Sequence, residues 1–459
     1  MSELPKGWVV TNFADISDYI QRGKGPKYTE FSDYPVVNQK SVRWFGIEEQ
    51  HLKYVHPEQW EKWDKQRYIK IGDILWNSTG TGTIGRACFV DVQQVKKAKI
   101  VDSHVTIVRT NKDVESKFAF YWIMHPEIQG AISGIYNGST NQVELSKKVV
   151  EATKFLLPPL AEQKRIVEKL DQVLAQVDTI KARLDGIPAI LKRFRQSVLA
   201  AAVSGKLTEE WRTSNQCSDS ISCKLDDVVE SSFYGPRFSK DDYVDYSNGI
   251  PTVRTTDMKN GVIEVTPDTP RVNVADEKIE LFRARKGDLL ITRTGSIGVM
   301  AIFDGDYLAI PSAYLIRFRF KPSVLTKFIY FSLTSPNGQK QMGLSSTAIT
   351  QPNINAKSIR AIEVNLPSLK EQTEIVRLVE QYFAFADTIE KQVQKAQQRV
   401  DKLTQSILAK AFRGELVPQN PSDEPADELL KRIAAARAES EALAKAAKKV
   451  GKKSNYQPT

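Results

Sequence analysis

Three cysteines and four histidines among 459 residues leave the chain without the thiols for a disulfide framework or a grouping that would hold a structural zinc ion. Cys88, Cys217 and Cys223 are scattered, as are His51, His56, His104 and His125. No run approaches the roughly 18 consecutive apolar residues of a membrane span. The opening MSELPKGW has neither the basic nor the apolar region of a secretory signal, so a cytoplasmic protein is expected. Catalytic signatures are also missing. There is no G-x-x-x-x-G-K-[ST] phosphate loop, no Asn/Asp-Pro-Pro-aromatic motif of amino-group methyltransferases and no Gly-x-Ser-x-Gly elbow. Asp268 with Asp276, Glu277 and Lys278 loosely mimics a nuclease carboxylate-lysine cluster, but charged turns often produce such groupings and the first half of the chain has no counterpart.

What is present describes a folded, multi-domain chain. The hydrophobic fraction of 41% and charged fraction of 26% are those of a globular protein. The length suits about three domains at ~150 residues each. A formal charge of +10 and a pI near 9.2 favour a polyanionic partner.

The chain is written twice. "LPPLAEQKRIVEKLDQVLAQVDTI" at 157–180 returns as "LPSLKEQTEIVRLVEQYFAFADTI" at 366–389, so that Glu162 recurs as Glu371. At the same offset "QSVLAAAVSGKL" (196–207) returns as "QSILAKAFRGEL" (405–416). Upstream of each copy lies a poorly matching segment with the same order of landmarks. "GDILWNSTGTGTIG" (72–85) answers "GDLLITRTGSIG" (287–298), and "KFAFYWIMHP" (117–126) answers "KFIYFSLTSP" (327–336). The repeating unit is therefore a variable domain followed by a helix.

The stretch "NSTGTGTIGRA" has Gly80, Gly82 and Gly85 in the G-x-G-x-x-G spacing of a dinucleotide site. A true fingerprint opens a helix at the third glycine, whose amides hold the phosphate. Here "RACFVDV" follows, alternating like a strand, and the second copy keeps only "TGSIG". A tight turn between strands survives that loss and a nucleotide site does not, so no cofactor is expected in this chain.

The repeated segments carry a coiled-coil seam. Ile375, Val379, Tyr382, Ala386, Ile389, Val393, Ala396, Val400, Leu403 and Ile407 step by fours and threes. Their counterparts are Ile166, Leu170, Val173, Val177, Ile180, Leu184, Ile187, Leu191, Phe194 and Val198. At ~1.5 Å per residue each run is about 50 Å long, too long for one small domain to cover, so the two are expected to pair. Gly186 and Pro188 should kink or restart the first helix. Antiparallel pairing delivers the chain from the end of the first helix to the second variable domain and sets the two domains apart on a pseudo-two-fold frame. The variable domains read as mainly β, with strands "GDILWNST", "RACFVDV", "HVTIVRT", "GDLLITRT", "VMAIFDG" and "AYLIRFRF" and helices "KFAFYWIM" and "KFIYFSLT". The fold class is thus α+β: two mainly-β domains separated by two long antiparallel coiled-coil helices.

A spacer with a recognition unit at each end suits a two-part DNA site. Candidate readers are polar side chains in turns that grip phosphates and base edges. In the first domain they are Arg22, Lys24, Lys27, Lys40, Arg43, Trp44, Thr79, Thr81, Asn137, Ser139, Thr140, Asn141 and Gln142. In the second they are Arg237, Lys240, Arg254, Thr255, Arg293, Thr294, Ser296, Ser345, Ser346, Thr347 and Gln351.

Variable domain, "LPPLAEQKRIVEKLD", "QSVLAAAVSGKLTEEWR", variable domain, "LPSLKEQTEIVRLVEQ" and "QSILAKAFRGEL" together resemble the specificity subunits of type I restriction-modification enzymes over roughly residues 1–420. The resemblance implies target-recognition domains at 1–155 and 225–365, repeated helical regions at 156–212 and 366–417, a linker at 213–224 and a charged tail at 418–459, the tail being read as a solvated helix with a frayed basic end. It further implies that each recognition domain reads half of an asymmetric, interrupted duplex target in a bacterial or archaeal cell. The partners it implies are two modification subunits, which methylate adenine with S-adenosylmethionine, and two ATP-dependent, Mg-requiring restriction subunits. Gln196, Ser197, Gly205, Leu207, Gln405, Ser406, Gly414 and Leu416, repeated beyond what a seam needs, are candidate docking positions for two copies of one partner. Two rival readings stay open: a self-contained nuclease or methyltransferase, and a coiled-coil scaffold without DNA contact. A salt titration of duplex binding separates the scaffold from the reader.

Overall fold

The computed structural model describes residues 4–136, 144–245, 249–293, 298–344 and 354–454. The chain forms two compact units, residues 1–183 with 396–459 and residues 184–395. Each contains one variable domain and a stretch of both long helices.

In the first unit the main sheet has the order Ser17–Arg22, Val105–Thr110, Ile74–Asn77, Ala87–Phe89, with all neighbours antiparallel. Successive side chains of a strand point to opposite faces, and here both faces are covered. Ile74, Trp76 and Val108 enter one apolar cluster, whereas Leu75, Val105 and Ile107 enter another. The second unit repeats the order with Val229–Tyr234, Leu315–Phe320, Leu289–Thr292 and Met300–Ile302, and again Leu289 and Ile291 fill one cluster while Leu290 and Leu315 fill a second. A smaller four-stranded sheet lies in each unit, built on Pro35–Val37 in the first and Ile250–Val253 in the second. The strand-like runs and the two short helices read from the sequence, now Ser116–Met124 and Thr326–Thr334, are all present.

The repeated Gly-Asp ahead of the central strand has a structural cause. Gly72 and Gly287 turn with φ of 84° and 91°, a region that favours glycine. The next residue, Asp73 or Asp288, is buried. Asp73 accepts two hydrogen bonds from Arg109 at 2.6 and 2.8 Å and one from the Lys70 N–H. Asp288 does the same with Arg319 at 2.8 and 2.7 Å and the Arg285 N–H. A turn is thereby pinned to the neighbouring strand in both units.

The long helices span Leu160–Val203 and Leu369–Phe412. Within each unit they run antiparallel. In the first, Lys181 pairs with Asp401 at 2.9 Å while Arg165, earlier in its helix, reaches Asp423, later in the chain. In the second, Arg195 pairs with Asp387 and Glu390, and Arg212 with Glu371. Seam residues Ile166, Leu170 and Val177 are buried in one cluster with Ile407, and Ile375 and Val379 in another with Val198. Ala386 and Val393 are buried as well. Val173, Leu184 and Ile389 are half-buried, while Ile180 and Tyr382 stay 45% and 40% exposed. Tyr382 meets the ring of the seam residue Phe194 edge-on at 6.1 Å.

Two expectations need correction. The first helix does not restart at Gly186 and Pro188. Pro188 lies on an exposed stretch, where the carbonyl that loses its partner can bond water. The tail is not merely solvated. Helix Ala426–Ser454 buries Ala426, Leu429 and Ile433 in the core of the first unit. Its Arg437 donates to the carbonyls of Ala14, Asp15 and Ser17, closing off the end of helix Phe13–Ile16. The three-and-four spacing of Ala426, Leu429, Leu430 and Ile433 is an apolar stripe, short enough to be masked by the Ala and Lys around it.

Candidate nucleic-acid interface

Because neighbours in the main sheet are antiparallel, the end of its first strand, the start of its second and the end of its third lie along one edge. In the first unit this edge brings together Arg22, His104 and Thr79. The Thr79 hydroxyl and the His104 Nδ1 are 2.6 Å apart. The His104 N–H donates to Asp102 at 2.9 Å. Arg22 donates through Nε to the Ser103 carbonyl and ion-pairs with Glu144. Gly23 presses its Cα against the Val101 and Asp102 carbonyls, leaving no space for a side chain. Asp102 is buried, which pushes its carboxyl above the usual range against the pull of the His104 N–H. Burial, and then the neighbouring Asp102 carboxylate, push the Tyr28 phenol up to about 12.

The second unit presents the same edge with different chemistry. Tyr234 and Tyr314 stand where Arg22 and His104 do, and Arg293, in the register of Ser78, sits at the end of the third strand, whereas the counterpart of Thr79 is Thr294. The Arg293 guanidinium lies 5.1 Å from the Tyr234 ring centroid, and the Arg293 N–H donates to the Tyr314 carbonyl at 3.0 Å. Tyr314 is 61% exposed. Gly235 meets the Pro311 and Ser312 carbonyls as Gly23 meets its own. One frame thus displays Arg, His and Thr in one unit and two Tyr and an Arg in the other.

The glycines at 80, 82 and 85 have φ of 103°, 75° and 81° and form the loop between two antiparallel strands, not the entry to a helix. The Asn77 amide holds that loop by donating to the Gln39 and Thr83 carbonyls at 3.0 and 3.1 Å. Thr81 is exposed on it.

The other candidate readers divide. Lys24, Lys27, Lys40, Arg237 and Lys240 are exposed. Arg43 is tied to Glu48 at 2.6 Å, and Arg254 to Asp257 and the Asp268 carbonyl, so these two guanidiniums brace their own loops. Thr255 is half-buried. Trp44 sits at a hairpin tip with its ring 6.5 Å from Phe120, beside Phe45, which is 80% exposed. Asn137, Ser139, Thr140, Asn141, Gln142, Thr294, Ser296, Ser345, Ser346, Thr347 and Gln351 lie outside the described residues. His104, Tyr234 and Tyr314 were not among the candidates. The signal was there, since His104 and Tyr314 each immediately precede the matching strands "VTIVRT" and "LIRFRF". Among the described residues no group of His, Cys, Asp and Glu could hold a metal ion, and the Asp268 grouping assembles no such site.

The repeated Glu-Gln at the head of each long helix has a structural role. Gln163 accepts the Glu115 N–H at 2.9 Å and donates to the Pro158 carbonyl at 2.8 Å. Gln372 accepts the Leu325 N–H and donates to the Pro367 carbonyl, both at 2.9 Å. Buried Glu162 accepts the Trp8 indole N–H at 3.0 Å, and buried Glu371 accepts the Thr208 hydroxyl at 2.7 Å. Gly205 and Gly414 end their helices at φ of 75° and 71°, and Leu207 and Leu416 pack on the cores of their units. Of the docking candidates, Gln196, Ser197, Gln405 and Ser406 have exposed side chains.

The family model described as "Type I restriction modification DNA specificity domain" matches residues 5–189 and again 218–398. The chain belongs to the type I restriction-modification specificity subunits. Within this family it is 37% identical to the EcoBI specificity subunit of Escherichia coli over 81% of this chain and 86% of that one. It is 33% identical to the EcoKI specificity subunit of E. coli strain K12 over 95% of this chain and 97% of that one. The HsdS subunit from Thermoanaerobacter tengcongensis shares the fold of this specificity subunit at a TM-score of 0.60 and 19% identity, covering 90% and 98% of the two chains. A structure described in terms of complex assembly and conformational transition of the type I R-M system aligns at a TM-score of 0.69 and 19% identity, over 90% and 100%. No helix among the described residues of this specificity subunit is long and apolar enough to cross a membrane.

Proposed function

We propose that this specificity subunit reads an asymmetric, interrupted DNA sequence, one half with each unit, and performs no chemistry itself. The observation that carries this reading is the strand-end edge common to both units. The same backbone frame carries Arg22 and His104 where the other unit has Tyr234 and Tyr314, with Thr79 beside them in the first and Arg293, in the register of Ser78, in the second, so two unlike half-sites are met by like scaffolds. Arg and Thr bond base edges and phosphates, and Tyr adds stacking surface and a hydroxyl. The paired helices fix the separation of the readers and hence the number of unread base pairs. Their exposed Gln196–Ser197 and Gln405–Ser406 faces dock two modification subunits, which flip and methylate adenine with S-adenosylmethionine. Two restriction subunits supply the ATP- and Mg-dependent chemistry. The protein acts in the cytoplasm.

The test is binding of the purified chain to duplexes as salt is raised. The logarithm of the affinity should fall linearly with the logarithm of salt concentration, by roughly 0.9 per phosphate neutralised, and methyl transfer should appear only when modification subunit is added. Salt-independent binding, or methylation or cleavage by the chain alone, would contradict the reading.

A further inference from the structure

The strand-end edge is fastened to a stretch of chain that returns to it. In the first unit this stretch is Glu144 and Leu145, just ahead of helix Lys147–Ala152. The Leu145 N–H donates to the Ser78 carbonyl at 2.8 Å, and the Leu145 side chain is buried in the core of the unit. The Glu144 carboxylate ion-pairs with Arg22. Arg22 also donates to the Ser103 carbonyl, and the Ser78 N–H donates to the His104 carbonyl at 2.9 Å. The contacts close into a ring, from Arg22 through Ser103 and His104 to Ser78, then through Leu145 and Glu144 back to Arg22. Thr79 follows Ser78 in the chain and bonds the His104 imidazole, so both polar side chains that stand beside Arg22 on this edge are attached to the ring.

The second unit fastens the equivalent stretch by other chemistry. Ile354, like Leu145, is buried in the core of its unit and precedes a short helix, Ala356–Arg360. The Ala356 N–H donates to the Tyr234 hydroxyl at 2.9 Å. The Tyr234 ring carries the Arg293 guanidinium at 5.1 Å, and the Arg293 N–H holds the Tyr314 carbonyl at 3.0 Å. Arg22 and Tyr234 stand at the same strand end and share no chemistry, yet each ties the returning chain to its neighbours on the edge. The Arg22 charge is already paired with Glu144, so a phosphate reaching it would compete with a carboxylate. Side chains that discriminate among ligands must be held to about half an ångström by the groups around them, and these two residues supply that hold.

We infer that Arg22 and Tyr234 are positioning residues for half-site recognition. Each fixes its neighbours, His104 with Thr79 in one unit and Tyr314 with Arg293 in the other, and selects no base itself. The inference rests on the reading that each unit meets one half-site with this edge, and deepens it by separating the side chains that face DNA from those that hold them.

The experiment maps methylated adenines in cells that express the full chain with its modification subunit, then titrates salt against binding of each purified variant to a duplex carrying the wild-type target. Arg22→Ala and Glu144→Ala should each cut discrimination against mismatches about tenfold, at several base pairs of the same half. The double variant should relax that half no further, because either change opens the ring. Glu144→Gln, which still accepts from the guanidinium, should keep most of the preference. The slope of log affinity against log salt should be unchanged in Arg22→Ala, since no phosphate contact is lost. Tyr234→Phe, which keeps the ring and loses only the acceptor for the Ala356 N–H, should relax the other half alone, again at several positions. Glu144→Ala decides the first unit should Arg22→Ala fail to fold. Preference lost at a single base pair, a salt slope shallower by about 0.9 in Arg22→Ala, or tighter binding with full preference in Glu144→Ala and Glu144→Gln alike would show that Arg22 meets DNA itself. Any of these, or full preference in Tyr234→Phe, would overturn the inference while leaving the two-unit reading intact. A wild-type chain that yields no two-part methylated sequence would overturn both.

Discussion

Replacing Gln163 or Gln372 by Ala removes the side-chain amide that clips the head of each long helix to its recognition domain. In the first unit the change orphans the Glu115 N–H and the Pro158 carbonyl, in the second the Leu325 N–H and the Pro367 carbonyl. Both glutamines are buried, so water does not readily replace the lost partners. Each buried group left unsatisfied costs about 1–3 kcal/mol, and two of them make the loss in each unit about 2–5 kcal/mol, allowing for some relaxation. In a unit of this size 1 kcal/mol corresponds to about 2–4 °C in Tm. Differential scanning calorimetry should show Gln163→Ala lowering the transition of residues 1–183 with 396–459, and Gln372→Ala lowering that of residues 184–395. The double variant should lower each transition by no more than its own single-variant shift, because the sites share no partner. Gln163→Glu should keep the acceptor and lose the donor, and should be partly rescued in acid where its carboxyl is protonated. If Gln163→Ala left the thermal transition in place but weakened uptake of modification subunit, the repeated Gln would be a docking residue and the reasoning would be refuted.

Three further outcomes follow from particular contacts. Burial against Trp122 and Phe412 holds His125 below its ordinary value of 6.5. The unfolded chain therefore takes up the proton first as pH falls, and the stability of the first unit is present above about 6.5 and lost below it; His125→Phe should flatten the Tm profile between roughly pH 7 and 5, and an unaltered profile would contradict the burial argument. Asp288→Ala strips the carboxylate from Arg319 and leaves Arg317, 6% exposed, without that counter-charge and beside Arg319 and Arg285. Breaking such a buried pair costs about 3–5 kcal/mol, readable as a loss of the second unit's denaturant midpoint, and a shift under 1 kcal/mol would sink the claim. Leu429→Ala should release the tail helix, since Leu429 is fully buried and its truncation costs about 2–5 kcal/mol. Limited proteolysis should then cut within 418–425 far faster than in the wild type, and an equal rate would show that the tail is held elsewhere.

Much of the fold was legible because its signals repeat. The seam survives as an unbroken step of fours and threes in both copies, and the central strands stand out because Ile74, Leu75 and Trp76 must fill two cores at once. The unbroken run of helix through Pro188 did not follow, since composition does not say that a proline will face solvent. The docking of the tail was hidden in an apolar stripe of four residues. At the interface, basic residues were an incomplete guide. Arg43 and Arg254 are held by Glu48 and Asp257 across short loops, whereas His104 and Tyr314 become notable only once the two sheets are superposed strand for strand. Charge marks what could meet a polyanion, and the fold decides which charges are already occupied.

Mapping methylated adenines in the DNA of cells that express this chain with its modification subunit tests the central claim directly. The wild type should yield one two-part sequence with unlike halves and a fixed spacer. His104→Ala with Thr79→Ala should relax one half only, and Tyr314→Ala with Arg293→Ala the other half only, the spacer staying constant in both. Loss of preference in both halves from either pair, or a methylated sequence that is not divided in two, would contradict the account.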